Sequence, residues 1–153
     1  MSALFHPLRV RAIEPDTQEA VIVSFEVPSD LREVFGFTQG QYLTLRTEID
    51  GQDLRRSYSI CAGVDDGELR VGVRKVRGGV FSNWINEHLK PGDTLQVMAP
   101  QGRFFVPIEP QARRHHLGIA GGTSKETTTA SAVSGAMLRT RSGWNIVVVV
   151  ISA

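Results

Sequence analysis

Between Ala20 and Val27 the chain reads "AVIVSFEV", which sets Val21, Val23, Phe25 and Val27 on one face and Ser24 and Glu26 on the other. A period of two, stopped here by Pro28, is the signature of a half-buried β-strand. "QYLTLRTEI" repeats it, with Leu43, Leu45 and Thr47 opposed to Thr44 and Arg46, and Asp50-Gly51 follows as a hairpin signal. In "DDGELRVGVRKV" a turn leads into another strand, with Leu69, Val71 and Val73 on one side, and "TLQVMAPQGRFFV" returns to strand and turn. Five or six short strands separated by turns predict a mainly β fold, either a closed antiparallel barrel or a sandwich. Glu14 and Asp16 are expected in a turn.

One segment has a different period. In "GGVFSNWINEHLKPGD", Phe81, Trp84, Ile85 and Leu89 recur at three- and four-residue spacing before Pro91 and Gly92. That spacing predicts a helix entered through Gly78 and Gly79, with Trp84 packed toward the core. After Thr123 the pattern dissolves: "SKETTTASAVSGAMLRTRSG" is poor in large apolar residues, as linkers are. The closing "WNIVVVVISA" is β-prone and uncharged, an aggregation liability if unpaired.

Composition narrows the function classes. The 153 residues are 41% hydrophobic and 22% charged, enough for one core of ordinary size. A net charge of +1 provides no basic field for nucleic acid. Cys61 is the only cysteine, so neither an internal disulfide nor a four-thiolate metal or iron–sulfur site can form within the chain. The adjacent His115 and His116 would point to opposite faces of a strand, and no metal site is expected. His6, Arg9, Arg11 and Glu14 interrupt any secretory apolar run, and "IVVVVI" is too short to span a bilayer, so a cytoplasmic protein without membrane contact is expected.

Two short stretches carry chemistry. In "RRSYSI", Arg55 to Ile60, alternation puts Arg56 and Tyr58 on one face and Ser57 and Ser59 on the other. A guanidinium fork suits phosphate, a phenol ring suits a flat ligand, and Ser59 could donate to a ring nitrogen. Taken alone, the hexapeptide is better accounted for by a plain barrel strand with its arginine and tyrosine in solvent. In "RKVRGGVFS", Gly79, Val80, Phe81 and Ser82 could hold a pyrophosphate at a helix N-terminus, helped by Arg74 or Lys75, although paired glycines before a helix are also common turn chemistry.

Taken in order, Arg56-Ser57-Tyr58-Ser59, "VGVRKVRGGVFSNWI", "LKPGDTLQVMAPQGRF" and "HLGIAGG" resemble the flavin domain of the ferredoxin–NADP reductase superfamily, and within it the phenylacetate-degradation reductases. "FHPLRV" and "GQYLTLR" extend the resemblance from Leu4 to about Gly122. It implies a six-stranded Greek-key barrel with one capping helix, holding FAD, with FMN as the alternative. By motif, Arg56 would contact the flavin phosphates, Tyr58 would stack on the isoalloxazine, and Ser59 would lie near the flavin N5. These last two are the expected catalytic positions. Val73, Arg74 and Lys75 would border the ribityl or adenine side, and Gly79 to Ser82 would cradle the pyrophosphate.

The resemblance further implies NAD(P)H as hydride donor, a plant-type 2Fe-2S centre as next carrier, and oxygenase subunits as partners. The domains expected are a flavin barrel over 1–110, the start of a nicotinamide domain over 111–123, and a divergent tail over 124–153, as in a truncated or frameshifted reductase. A flavin-binding module or inactive fragment that does not oxidise NAD(P)H is the alternative.

Overall fold

The computed structural model describes residues 4–105, 136–137 and 148–149. Six strands form one antiparallel sheet: β1 (Phe5–Thr17), β2 (Ala20–Glu26), β3 (Tyr42–Ile49), β4 (Gln52–Ser59), β5 (Leu69–Arg74) and β6 (Thr94–Met98), in the order β4-β3-β6-β1-β2-β5. The edge strands meet where Ile60 bridges Val71 and the Cys61 amide donates to the Arg70 carbonyl at 2.9 Å, so the sheet closes into a barrel. The expected mainly β barrel is the fold. A two-stranded pair, β7 (Ala136–Met137) with β8 (Val148–Val149), completes the described elements. The expectations for residues 111–123, the histidine pair and most of the 124–153 tail lie outside the described residues.

The alternation selects most of the inward residues of β2, β3 and β5, while Val21, Val27 and Thr47 stay partly exposed. Leu8, Val23, Leu43, Leu45, Val71, Val73 and Val97 are each 0% exposed. The β3–β4 hairpin turns on Asp50 (φ 50°) and Gly51 (φ 74°), the left-handed pair a two-residue turn requires. Helix α1 (Val80–Glu87) packs against β5, β3 and β4, covering the place where β4 and β5 diverge from their bridge. Phe81 and Ile85, 1% exposed, are its anchors, and Trp84 packs half-buried against the same core.

Two expectations are corrected. Glu14 and Asp16 lie in β1, not in a turn: the strand continues through Pro15 at a register shift between Pro15 and Thr17, an irregular position that can tolerate the missing N–H. Ser24, expected on the wet face, is only 4% exposed. It stands opposite Ala12 on one side and Arg70 on the other, and the Arg70 guanidinium is held by the Cys61 carbonyl, Glu68 and Asp66, which draws its stem across the strand. Among the described residues, no helix is long and apolar enough to cross a membrane and no group of side chains is arranged to hold a metal ion.

Candidate functional site

The consecutive arginines of β4 face opposite ways. Arg55 lies on the outer face, bonded to Asp53 at 3.2 Å, and its guanidinium stands 5.4 Å from the centre of the Phe5 ring. Arg46, opposite it on β3, covers the same ring and bonds Asp53 at 2.7 Å, which holds the Asp53 carboxyl below its usual range. That cluster is a surface staple. Arg56 faces the other way, paired with Leu45 in register, and it is exposed because the barrel opens there between β4 and β5. Its Nη1 donates to the Arg55 carbonyl at 2.6 Å, and it has no ion pair among the described residues.

Tyr58 follows on the same face, opposite Leu43, its ring stacked on Phe81 with centroids 6.2 Å apart and planes at 28°. One ring face is thus taken by the helix, and the side chain remains half-exposed. The Ile60 amide donates to the Gln41 carbonyl, and antiparallel alternation from that pair turns the amides of Arg56 and Tyr58 toward β3 and those of Ser57 and Ser59 away from it. Ser57 is occupied on the outer face, its hydroxyl 3.0 Å from that of Thr44. Ser59 therefore turns its N–H toward β5, which the Ile60–Val71 bridge brings alongside.

The helix entry supplies the anion-binding half. Gly78 takes φ 74°, Gly79 is the N-cap, no side chain caps the helix, and its first turn carries no acidic residue. The amides of Val80, Phe81 and Ser82 are then among those that a helix start leaves without an intrahelical acceptor. A Cβ on Gly79 would come within 2.9 Å of the Ser82 hydroxyl and 3.1 Å of the Val76 carbonyl, so only glycine keeps the turn this tight. The Ser82 hydroxyl accepts from the Val76 amide at 3.2 Å, pinning the loop to the first turn. An uncapped start, a glycine cap and an unpaired guanidinium fit a pyrophosphate.

Several site residues take narrower roles than their sequence position suggests. Val73 is 0% exposed and Phe81 1%, so neither side chain reaches a ligand. The Val73 carbonyl accepts from Asn86, which also holds the Ser82 carbonyl. Arg74 pairs with Glu19 at 3.6 Å, and Lys75 bonds Glu87 at 3.0 Å. Since Glu87 ends the helix, about 10 Å from its first residue, Lys75 is drawn away from the Gly79 turn. Arg77 is exposed and stands two residues before the N-cap, and sequence reasoning passed over it. Its place just ahead of the glycine pair was the available signal.

Burial pushes the Tyr58 phenol from 10.0 up to about 12, against the pull of Arg56. It pushes the Cys61 thiol from 9.0 up to about 12, against Arg70, so Cys61 is a packed thiol and not a nucleophile. An unfolded chain ionises both groups at their ordinary values while the folded one keeps its protons. Stability is therefore unaffected by them below pH 9.0 and is lost as pH rises from there toward about 12. Urea midpoints across that window should fall in the native chain and fall less in Tyr58→Phe with Cys61→Ala.

A closed antiparallel barrel whose seam presents an arginine, a stacked tyrosine and a bare helix start defines a cofactor-holding barrel of the flavin type. Residues 7–106 match the model of the oxidoreductase FAD-binding domain, and the chain belongs to that family, with FAD as its cofactor. It is 43% identical over 119 residues to a component of the 1,2-phenylacetyl-CoA epoxidase of Escherichia coli K12, covering 78% of this chain and 33% of that protein. It is 31% identical over 144 residues to the ferredoxin reductase component of 3-ketosteroid-9-alpha-monooxygenase from Rhodococcus rhodochrous, covering 93% of this chain and 39% of that one. The chain thus spans about a third of the length of these relatives. Among solved structures, the flavohem-like FAD/NAD binding domain of nitric oxide dioxygenase from Vibrio cholerae superposes with a TM-score of 0.59 at 25% identity, covering 67% of this chain and 46% of that chain.

Proposed function

We propose that this chain holds the FAD of an NAD(P)H-dependent reductase that delivers electrons to an oxygenase, as in phenylacetyl-CoA ring epoxidation. The observation that carries this is the seam itself: Arg56, without an ion pair among the described residues, on a strand against which a helix with no side-chain N-cap packs, in a barrel of the FAD-binding family. When bound, FAD accepts a hydride and releases electrons one at a time.

The chain's own residues bind and orient. Arg56 gives its free N–H groups to the phosphates, and the amides of Val80, Phe81 and Ser82 complete the cradle that Gly79 permits. Tyr58 lays its open ring face on the isoalloxazine, with its other face fixed by Phe81 and its phenol kept protonated by burial. Ser59 lies near N5 at the end of β4. The backbone of Val73, Arg74 and Lys75 borders the ribityl or adenine side, and Arg77 adds charge next to the adenine-side phosphate. The partners are oxygenase subunits, the nicotinamide and 2Fe-2S sites belong to parts of the reductase beyond the described residues, and the compartment is the cytoplasm.

The test is the visible spectrum of the full chain after incubation with FAD and desalting, followed by anaerobic addition of NADH or NADPH and then dithionite. Retained flavin bleached by either nicotinamide is the expected result for a working reductase. Flavin bleached only by dithionite would make the chain a flavin-holding module without NAD(P)H oxidation. Failure to retain flavin would overturn the reading.

A further inference from the structure

The geometry points to a second ligand site where β2 ends and β5 begins, one that takes an amphipathic organic monoanion, a flat aryl group bearing one carboxylate. The cavity there has a volume of about 680 Å³, within the range of small-molecule sites. Four separate segments line it: the β1 bulge, the end of β2, the stretch from Arg32 to Phe37, and the loop entering β5. β5 runs from this cavity at Leu69 to the α1 end at Arg74, about 16 Å of strand. None of its lining residues is among those placed at the flavin site, although β5 reaches the Ile60–Val71 bridge two residues beyond Leu69.

Its floor is apolar and largely aromatic. Phe25 and Phe35 are 3% exposed and Leu69 is 4%, with Phe25 directly opposite Leu69 in register. Phe35 is further fixed by an edge-to-face contact with His6, centroids 5.6 Å apart. Half-buried Phe37 and the exposed Val64 form the rim. A rigid floor of rings favours a flat apolar body, which loses little freedom on burial there.

The charges around that floor are almost all engaged. Arg11 pairs with Glu68, which Arg70 also holds at 3.1 Å, and Glu26 pairs with Arg9 at 3.7 Å. Arg32 lines the cavity, is exposed, and has no ion pair among the described residues. The net offer to a ligand is one guanidinium fork above rings. Such a lining selects a single anionic group on an apolar body, since a second anion would meet Glu26 or Glu68.

The probe is 1-naphthoate, with 1-naphthalenemethanol as its neutral counterpart, titrated into the full chain by calorimetry in the presence and absence of saturating FAD. Saturable 1-naphthoate binding at one site, equal with and without FAD, is expected. Arg32→Ala should weaken naphthoate by about tenfold or more while leaving the alcohol nearly unchanged. Val64→Trp, which fills the rim from an exposed position, should block both probes without altering the circular dichroism spectrum. Equal affinity for the two probes in native and Arg32→Ala chains, competition by FAD, or no saturable binding would each overturn the proposal.

Discussion

Replacing Arg56 by alanine is expected to weaken FAD binding by about 30- to 150-fold while leaving the fold intact. The figure follows from losing charge-assisted hydrogen bonds worth about 2–3 kcal/mol. The fold should not notice, because the side chain is exposed and its one hydrogen bond is to its neighbour's carbonyl. Arg55→Ala is the matched control: the same charge is removed one residue away, from the opposite face and from a pair with Asp53. It should change FAD affinity by less than about threefold, the scale of a screened surface charge. Flavin fluorescence titrations of the two variants decide the matter, and equal losses would mean that a diffuse positive field, not an aimed fork, holds the cofactor. Arg56→Lys should recover only part of the affinity, since an ammonium keeps the charge and loses the planar fork.

The second large effect concerns Phe81, which joins fold and site. Phe81→Ala is expected to cost about 3–5 kcal/mol, the usual range for emptying a buried phenylalanine site. A domain of this size is stable by only about 5–15 kcal/mol, so the variant would stand near the edge of unfolding. Phe81→Leu separates the two roles. It keeps most of the buried volume, so its cost in urea denaturation should stay below about 1.5 kcal/mol, yet it removes the ring against which Tyr58 is stacked. A weaker flavin complex on a nearly unaltered fold would show that the helix sets the tyrosine in place. Unchanged FAD affinity in Phe81→Leu would mean that the strand alone positions Tyr58.

Local chemistry was legible in the sequence wherever one strand or one turn decided it. Asp50-Gly51 announced its hairpin because the left-handed backbone at both positions is a local demand. The alternation from Leu43 to Leu45 and from Leu69 to Val73 chose the core correctly, because one face of each strand is dry. Ser24 broke the rule through a neighbour on another strand, Arg70, whose position depends on the β2–β5 register. The same limit applied to the cations of the site. Arg74 and Lys75 read as free charges next to a phosphate cradle, and only the fold shows Glu19 and Glu87 meeting them. The cavity beneath Arg32 was illegible for a like reason, being assembled from four segments that share no sequence signal.

The strand order has a consequence for how the molecule is made. β6 lies between β3 and β1, so within the sheet the unit β1-β2-β5 and the hairpin β3-β4 are joined by the last strand of the barrel to leave the ribosome and by the Ile60–Val71 seam, with α1 packed on both halves. Until Thr94–Met98 has emerged, the nascent chain carries two half-sheets, each with a bare edge open to pairing with other chains. Ring closure is then a late, long-range event. During that interval the exposed edges, not any contact of the finished barrel, are where the growing polypeptide is open to pairing with its neighbours.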